Sequence, residues 1–259
     1  MCIRDRNWES RAVFNAAADR FELHGVIPSD EHVWDHYTGT PVNNSVMTNA
    51  YAAWVLRTAA GLAAAGITDA ERAAWRHIAD GMYLPRDAAR GIFLEYDGYS
   101  GHPIKQADVG HLFFPWCVTR DPEEIRRNVY YYAERERETG LFLTHSPSVY
   151  AAGLSRAGDV RGVARFLDLA MRNASGPFEV PRESNYATGP VVTGAGSFLN
   201  LLFYGVAGIE NQGTAITAHP CVPEDVGRIS FQHVAFRGAR FTVAAEAGSA
   251  VAQITPEPG

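Results

Sequence analysis

The sequence predicts a mainly α-helical chain that closes with a small β-region, and three observations predict it. Apolar residues recur at helical spacing from Asn7 to about Gly208. The connections between those segments alternate between short turns and long loops. After about Ile209 the periodicity changes to that of strands. Helices paired in this way suggest an α/α toroid, in which the helix ends on one face surround a cleft. At 259 residues the chain can bury a full hydrophobic core.

Met1–Arg6 reads as a short charged lead, not native to the domain, and the chain reads as starting inside one. Trp8 to Phe21 follows as a helix, with Ala12, Val13, Ala16 and Ala17 on one face. Asn44 to Ala65 is a second, long helix that Gly66 stops. Thr68 and Glu71 have the spacing of a capping box for a helix running to about Met82. Asp121-Pro122-Glu123-Glu124 combines a cap, a first-turn proline and two acids, and so starts a helix to about Glu138. Further helices fit Pro147–Arg156, Asp159–Asn173 and Gly196–Gly205.

Three long connections remain, at 23–42, 84–104 and 175–194. Loops of that length are uncommon in compact domains unless they build a binding site. In the β-region, 215–217, 229–236, 240–245 and 251–255 read as strands, with Arg237-Gly238-Ala239 as a hairpin turn.

Composition narrows the function. Hydrophobic residues make up 46% and charged residues 20%, ordinary for a globular chain. A formal net charge of −6 gives no general attraction for phosphate backbones or anionic lipid, so neither nucleic acid nor membrane is expected as a partner. Cys2, Cys117 and Cys221 lack disulfide-framework or metal-ligand spacing, and no metal or other cofactor is implied. Gly189, Gly194 and Gly196, read as turns, follow no strand of a βαβ unit and make no phosphate loop. Ser146 follows His145 but lacks a nucleophile elbow. Aromatic residues reach 11%, which suits either sugar stacking or a packed core.

Three motifs could carry chemistry. Asp30 and Glu31 are adjacent carboxylates in the Gly/Pro loop 24–32. If they share a site, repulsion raises one pKa and makes a proton donor; otherwise they form a solvated acidic loop. Glu183 stands between Arg182 and Asn185, which would keep it ionised as a general base or hold it as a surface ion pair. Lys105, Gln106 and Asp108 open an apolar helical run of Val109, Leu112, Phe113, Phe114 and Trp116. They form a hydrogen-bonding set suited to sugar hydroxyls, or a cap with a snorkelling lysine.

Together these segments resemble glycoside hydrolase family 65. The acid loop of that family reads roughly Gly-x-x-Pro-x-Asp-Glu-x-His followed by Asn-Asn-x-x-Thr-Asn; here Gly25–Glu31 is followed by Val42–Asn49. The Lys-Gln-Ala-Asp-Val signature is present as Lys105–Val109, after Asp97-Gly98-Tyr99. The resemblance runs from about Arg11 to Gly208. Arg20–Val26 and Val42–Ser45 look most like its hydrolase branch, which acts on α-glucosides including kojibiose and glucosyl-galactosyl-hydroxylysine.

The resemblance implies part of an (α/α)6 barrel over 7–208 and a β-sandwich-like domain over 209–259. It implies Glu31 as general acid, Asp30, Lys105, Gln106 and Asp108 on the sugar, and Glu183, 152 positions after Glu31, as general base. The implied substrate is a small carbohydrate with a terminal α-linked glucose, cleaved with inversion. Members of the family also have an N-terminal β-sandwich and a first barrel half, whose Trp-Asp pair binds the same sugar; this chain reads as lacking both. His32 stands where the family usually has Tyr, before an apparent insertion, which bears on the acceptor site. The phosphate-binding loop of its phosphorylases is not recognisable, which favours water over phosphate. An inverting disaccharide phosphorylase and a non-catalytic carbohydrate-binding fragment are the rival readings.

Overall fold

The computed structural model describes residues 2–27, 41–63, 66–138, 144–172, 174–182 and 191–258. The chain divides into two compact units, Met1–Val118 and Thr119–Gly259.

The first unit opens with α1 (Cys2–Arg11) and then an antiparallel hairpin of β1 (Val13–Asn15) and β2 (Arg20–Glu22). The helix expected through Phe21 therefore ends at Arg11. Val13 and Phe14 favour strand, and Asp19 sits at φ 50°, a left-handed conformation through which no right-handed helix continues. Phe14 instead packs on its cross-strand partner Phe21, ring centroids 5.0 Å apart.

α2 (Val46–Gly61) is capped by Ser45, whose hydroxyl accepts the Thr48 N–H. α3 (Asp69–Asp80) begins on the full Thr68–Glu71 capping box. The two helices bury small residues against large ones: Ala52, Ala53, Ala59 and Ala60 of α2 share a core with Trp75 and Ile78 of α3 and Phe21 of β2. Alanines bring the backbones close, and Trp75, 1% exposed, fills the layer. Trimming it to alanine would cost about 3–5 kcal/mol.

The 84–104 connection contains a two-residue hairpin, β3 (Arg86–Asp87) with β4 (Ile92–Phe93). The apolar run after Asp108 is a single 3-10 turn, Val109–Leu112, and not the helix expected there. Pro115, three residues on, has no N–H to continue a helical ladder.

In the second unit α4 (Pro122–Arg137) starts where the Asp121 side chain accepts the Glu123 N–H. α5 (His145–Arg156) and α6 (Val160–Met171) follow, α6 capped by Asp159. A short hairpin, β5 (Ala174–Ser175) with β6 (Val180–Pro181), precedes α7 (Val192–Asn200), which runs into a π turn, Leu201–Val206. Residues 193–196, expected as glycine-rich turns, lie within α7. Gly194 belongs there because a Cβ would meet Val191 Cγ1 at 2.7 Å; the constraint is close packing, not turning.

The β-region has β7 (Ile209–Asn211) paired with β8 (Ile216–Ala218). β9 (Arg228–Phe236), β10 (Ala239–Glu246) and β11 (Gln253–Pro256) form an antiparallel sheet in the order β11-β10-β9. Arg237 and Gly238, both at positive φ, make a two-residue hairpin turn, and Ala239, expected in the turn, opens β10. No helix among the described residues is long and apolar enough to cross a membrane.

Candidate functional site

Three of the six predicted site residues, Asp30, Glu31 and Glu183, lie outside the described residues. What the structure describes is how the chain on either side of them is held.

At the first, Val26 and Val42 exchange backbone hydrogen bonds at 2.9 and 2.8 Å, so both ends of the 28–40 segment meet in one antiparallel bridge. The Asn43 side chain adds an acceptor for the Gly25 N–H at 3.1 Å. Beneath this neck lies a buried polar knot centred on Asn44, itself in the left-handed conformation at φ 55°. Its backbone N–H donates to the Leu23 carbonyl at 2.8 Å, while its side-chain oxygen accepts from the Leu23 N–H at 3.1 Å and from Asn49 at 3.2 Å. Its side-chain NH2 donates to Asp97 at 2.6 Å. Asn49 also donates to the Tyr83 carbonyl at 2.7 Å. Asn44 is fully buried, and both ends of its amide find the partners that buried polar groups need.

Alongside, Arg20, Glu22 and His24 alternate on one face of β2 and its continuation, with Phe21 and Leu23 turned to the core. The buried Glu22 carboxylate accepts from Arg20 at 2.7 Å and Asn15 at 3.0 Å, and meets His24 Nε2 at 2.8 Å. The His24 hydrogen bond, helped by Arg20 and Asn15, outweighs desolvation and holds the Glu22 pKa down to about 2. The Arg20 guanidinium in turn covers the Tyr83 ring at 3.4 Å. Period-two spacing of Arg20, Glu22 and His24 is the sequence signal that would have found this cluster.

Lys105, Gln106 and Asp108 follow the same 84–104 connection. Lys105 and Gln106 are half-buried and Asp108 is buried at 1% exposure. The Asp108 side chain makes no cap hydrogen bond to the 3-10 turn, so the capping role considered for it is not the one it has. Just upstream, Tyr99 donates to the His102 carbonyl at 2.6 Å and Tyr96 Oη lies 3.2 Å from His102 Nε2.

At the Glu183 segment, the Val191 N–H donates to the Pro181 carbonyl at 2.9 Å, joining the two sides of residues 183–190. The buried Thr144 hydroxyl donates to the Arg182 carbonyl. Next to it, His145 Nδ1 lies 2.6 Å from Ser197 Oγ, which donates to the Thr193 carbonyl at 2.8 Å. Burial lowers the His145 pKa. Two clefts among the described residues, of about 500 Å³ beside Trp54 and Trp116 and about 340 Å³ beside Tyr150 and Phe166, are lined by none of Lys105, Gln106 and Asp108.

Each segment that holds a predicted catalytic carboxylate thus follows a strand and precedes a helix, and its flanks are joined by backbone hydrogen bonds. Residues 4–104 match the glycosyl hydrolase family 65 central catalytic domain. The protein-glucosylgalactosylhydroxylysine glucosidase of Danio rerio is 32% identical over 89% of the chain. The kojibiose hydrolase of Mucilaginibacter mallensis is 28% identical over 81% of it. The solved structure assigned as a kojibiose phosphorylase from the human microbiome superposes on 98% of the chain with a TM-score of 0.70 at 19% identity, a likeness of fold.

Over residues 4–104 the chain is thus similar to the family 65 catalytic domain, and the whole chain spans 34% of the length of the Danio rerio glucosidase, 30% of the Mucilaginibacter hydrolase and 39% of the phosphorylase chain.

Proposed function

We propose that this chain supplies the acid, the base and part of the sugar pocket of an inverting hydrolase that removes a terminal α-linked glucose. Glu31, kept protonated, donates to the leaving oxygen as the C1–O bond breaks through an oxocarbenium-like state. Glu183, ionised, draws a proton from a water on the opposite face of the ring. Inversion needs room for that water, so the two carboxyl groups belong roughly 6.5–9.5 Å apart. Lys105 and Gln106, with Asp30 and Asp108, hold the glucose hydroxyls. Residues 7–208 are then part of an (α/α)6 barrel and 209–259 a β-sandwich-like domain. The substrate is a small carbohydrate, and neither metal nor other cofactor enters the chemistry.

The observation that carries this reading is the alignment of a glucosidase over 89% of the chain, beside the acid-loop and Lys105 motifs in the sequence. Phosphorolysis is the second reading, favoured by the fold neighbour assigned as a kojibiose phosphorylase. The third, a carbohydrate-binding segment without catalysis, predicts binding alone. Assaying the full-length protein on α-glucobioses, with and without phosphate, separates the three. The proposal expects glucose in both buffers; glucose 1-phosphate only with phosphate would replace it with phosphorolysis, and binding without turnover with the third reading.

A further inference from the structure

We propose that the cleft beside Trp54 and Trp116 is a carbohydrate-binding site separate from the Lys105 cluster, one that takes a neutral glucoside. The choice of a glucose-configured ring rests on the hydrolase reading; the geometry of the cleft does not. Every residue that lines it lies in the first unit. Tyr51, Trp54 and Arg57 follow one another at three-residue spacing along α2 and so share a side of it. The Tyr51 and Trp54 rings stack, with centroids 6.3 Å apart and planes 18° from parallel. Tyr51 also meets the Trp116 ring at 5.7 Å, so one tyrosine backs both indoles. The floor is made of small side chains: Ala50, Ala53 and Ala79 are all buried, where larger residues would fill the hollow of about 500 Å³.

The charges at the rim decide which ligand suits it. Arg57 Nε donates to the Asp80 carboxylate at 3.0 Å, and Nη2 donates to the Ala79 carbonyl at 2.9 Å. Among the described residues neither side chain makes a further hydrogen bond, so Nη1 and the second Asp80 oxygen stand side by side as a donor and an acceptor. Both side chains are more than half exposed, and Trp54 is 45% exposed, so all three can be reached. The ion pair is neutral overall and draws neither an anion nor a cation. An acyl chain or an apolar helix laid here would strip water from that pair without replacing its hydrogen bonds. A pyranose matches the whole set. Its C–H face lies on an indole, while neighbouring hydroxyls accept from the guanidinium and donate to the carboxylate.

Cys117 lines the same cleft and is half-buried, which makes its alkylation a local reporter. The test follows iodoacetamide labelling of Cys117 in the full-length protein by peptide mass spectrometry. Methyl α-D-glucopyranoside is the probe and sorbitol the open-chain control. The pyranoside should slow labelling saturably, by about 10-fold at a concentration ten times the half-protecting one, and sorbitol should not. Trp54→Ala and Arg57→Gln should each raise the half-protecting concentration at least ~10-fold, while kcat and KM on an α-glucobiose change by less than ~2-fold. Absence of protection, equal protection by sorbitol, or protection that survives both substitutions overturns the proposal. A Cys117 that never labels overturns it too, because the cleft is then closed in the whole protein. A kcat that falls together with the protection would merge the cleft with the catalytic pocket and end the claim of a separate site. If Trp54→Ala does not fold, Arg57→Gln, at an exposed position, decides with the same readouts. Protection without any hydrolysis of α-glucobioses would instead remove the hydrolase reading and leave this site standing, so the two failures are distinguishable.

Discussion

The Val191 N–H donates to the Pro181 carbonyl at 2.9 Å, and Gly194, one turn into α7, leaves only enough space for Val191 to do so. A Cβ at 194 would lie 2.7 Å from Val191 Cγ1 and 3.1 Å from Thr144 Cγ2, the residue that also holds the Arg182 carbonyl. Gly194→Ala should therefore cost about 1–3 kcal/mol through overpacking. In the full-length enzyme it should lower hydrolysis more than the stability loss alone explains. Thermal melts beside steady-state rates check it; an unchanged melt and unchanged rate would mean the packing gives way freely.

Glu22 makes stability depend on acid. Its folded pKa, about 2, lies below the ordinary carboxyl value of 4.5, so its contribution is fully present above the ordinary value and is lost as pH falls through the folded one. Glu22→Gln should destabilise by about 1.5–3 kcal/mol near pH 7, the range for hydrogen bonds to charged groups. The gap between wild type and variant should narrow between pH 4.5 and about 2. Melting curves across that range are the measurement.

Two helix caps should differ in cost. Thr68 caps α3 at the surface, and Thr68→Ala should cost about 1 kcal/mol. Asp159 caps α6 by accepting the Gly162 N–H at 2.9 Å and also takes the Tyr130 hydroxyl at 2.7 Å. Asp159→Ala strips both and should cost more, about 2–3 kcal/mol. Burial and that hydrogen bond push the Tyr130 pKa up to about 12; the Ala variant should bring it down, seen by ultraviolet titration of the phenolate.

Much of the helical framework was legible because its signals are local. Thr68 with Glu71, Asp121 with Pro122, and Arg237-Gly238 each act over a few residues, and each is found where the spacing puts it. The stretch from Trp8 to Phe21 misled because Ala12, Val13, Ala16 and Ala17 fit a helical period, whereas the Phe14–Phe21 pairing and the turn at Asp19 decide the outcome. The run after Asp108 misled through hydrophobicity alone, with Pro115 too close to allow a long helix. The Asn44 knot escaped the sequence because its partners stand 21 and 53 residues away. For the candidate site, the sequence supplied Lys105, Gln106 and Asp108 as one cluster, while Asp30, Glu31 and Glu183 fall outside the described residues.

Both proposed catalytic carboxylates are carried on segments whose flanks are joined by backbone hydrogen bonds, at Val26–Val42 and at Pro181–Val191. The account assigns one to protonate the departing sugar oxygen and the other to activate water from the opposite side. The most direct test is early-time proton NMR of the glucose released from an α-glucobiose by the full-length protein in phosphate-free buffer. Inversion predicts β-glucose first, with the α anomer growing in only by mutarotation. α-Glucose as the first product would mean retention, and would contradict the assignment of Glu183 as a base acting through water.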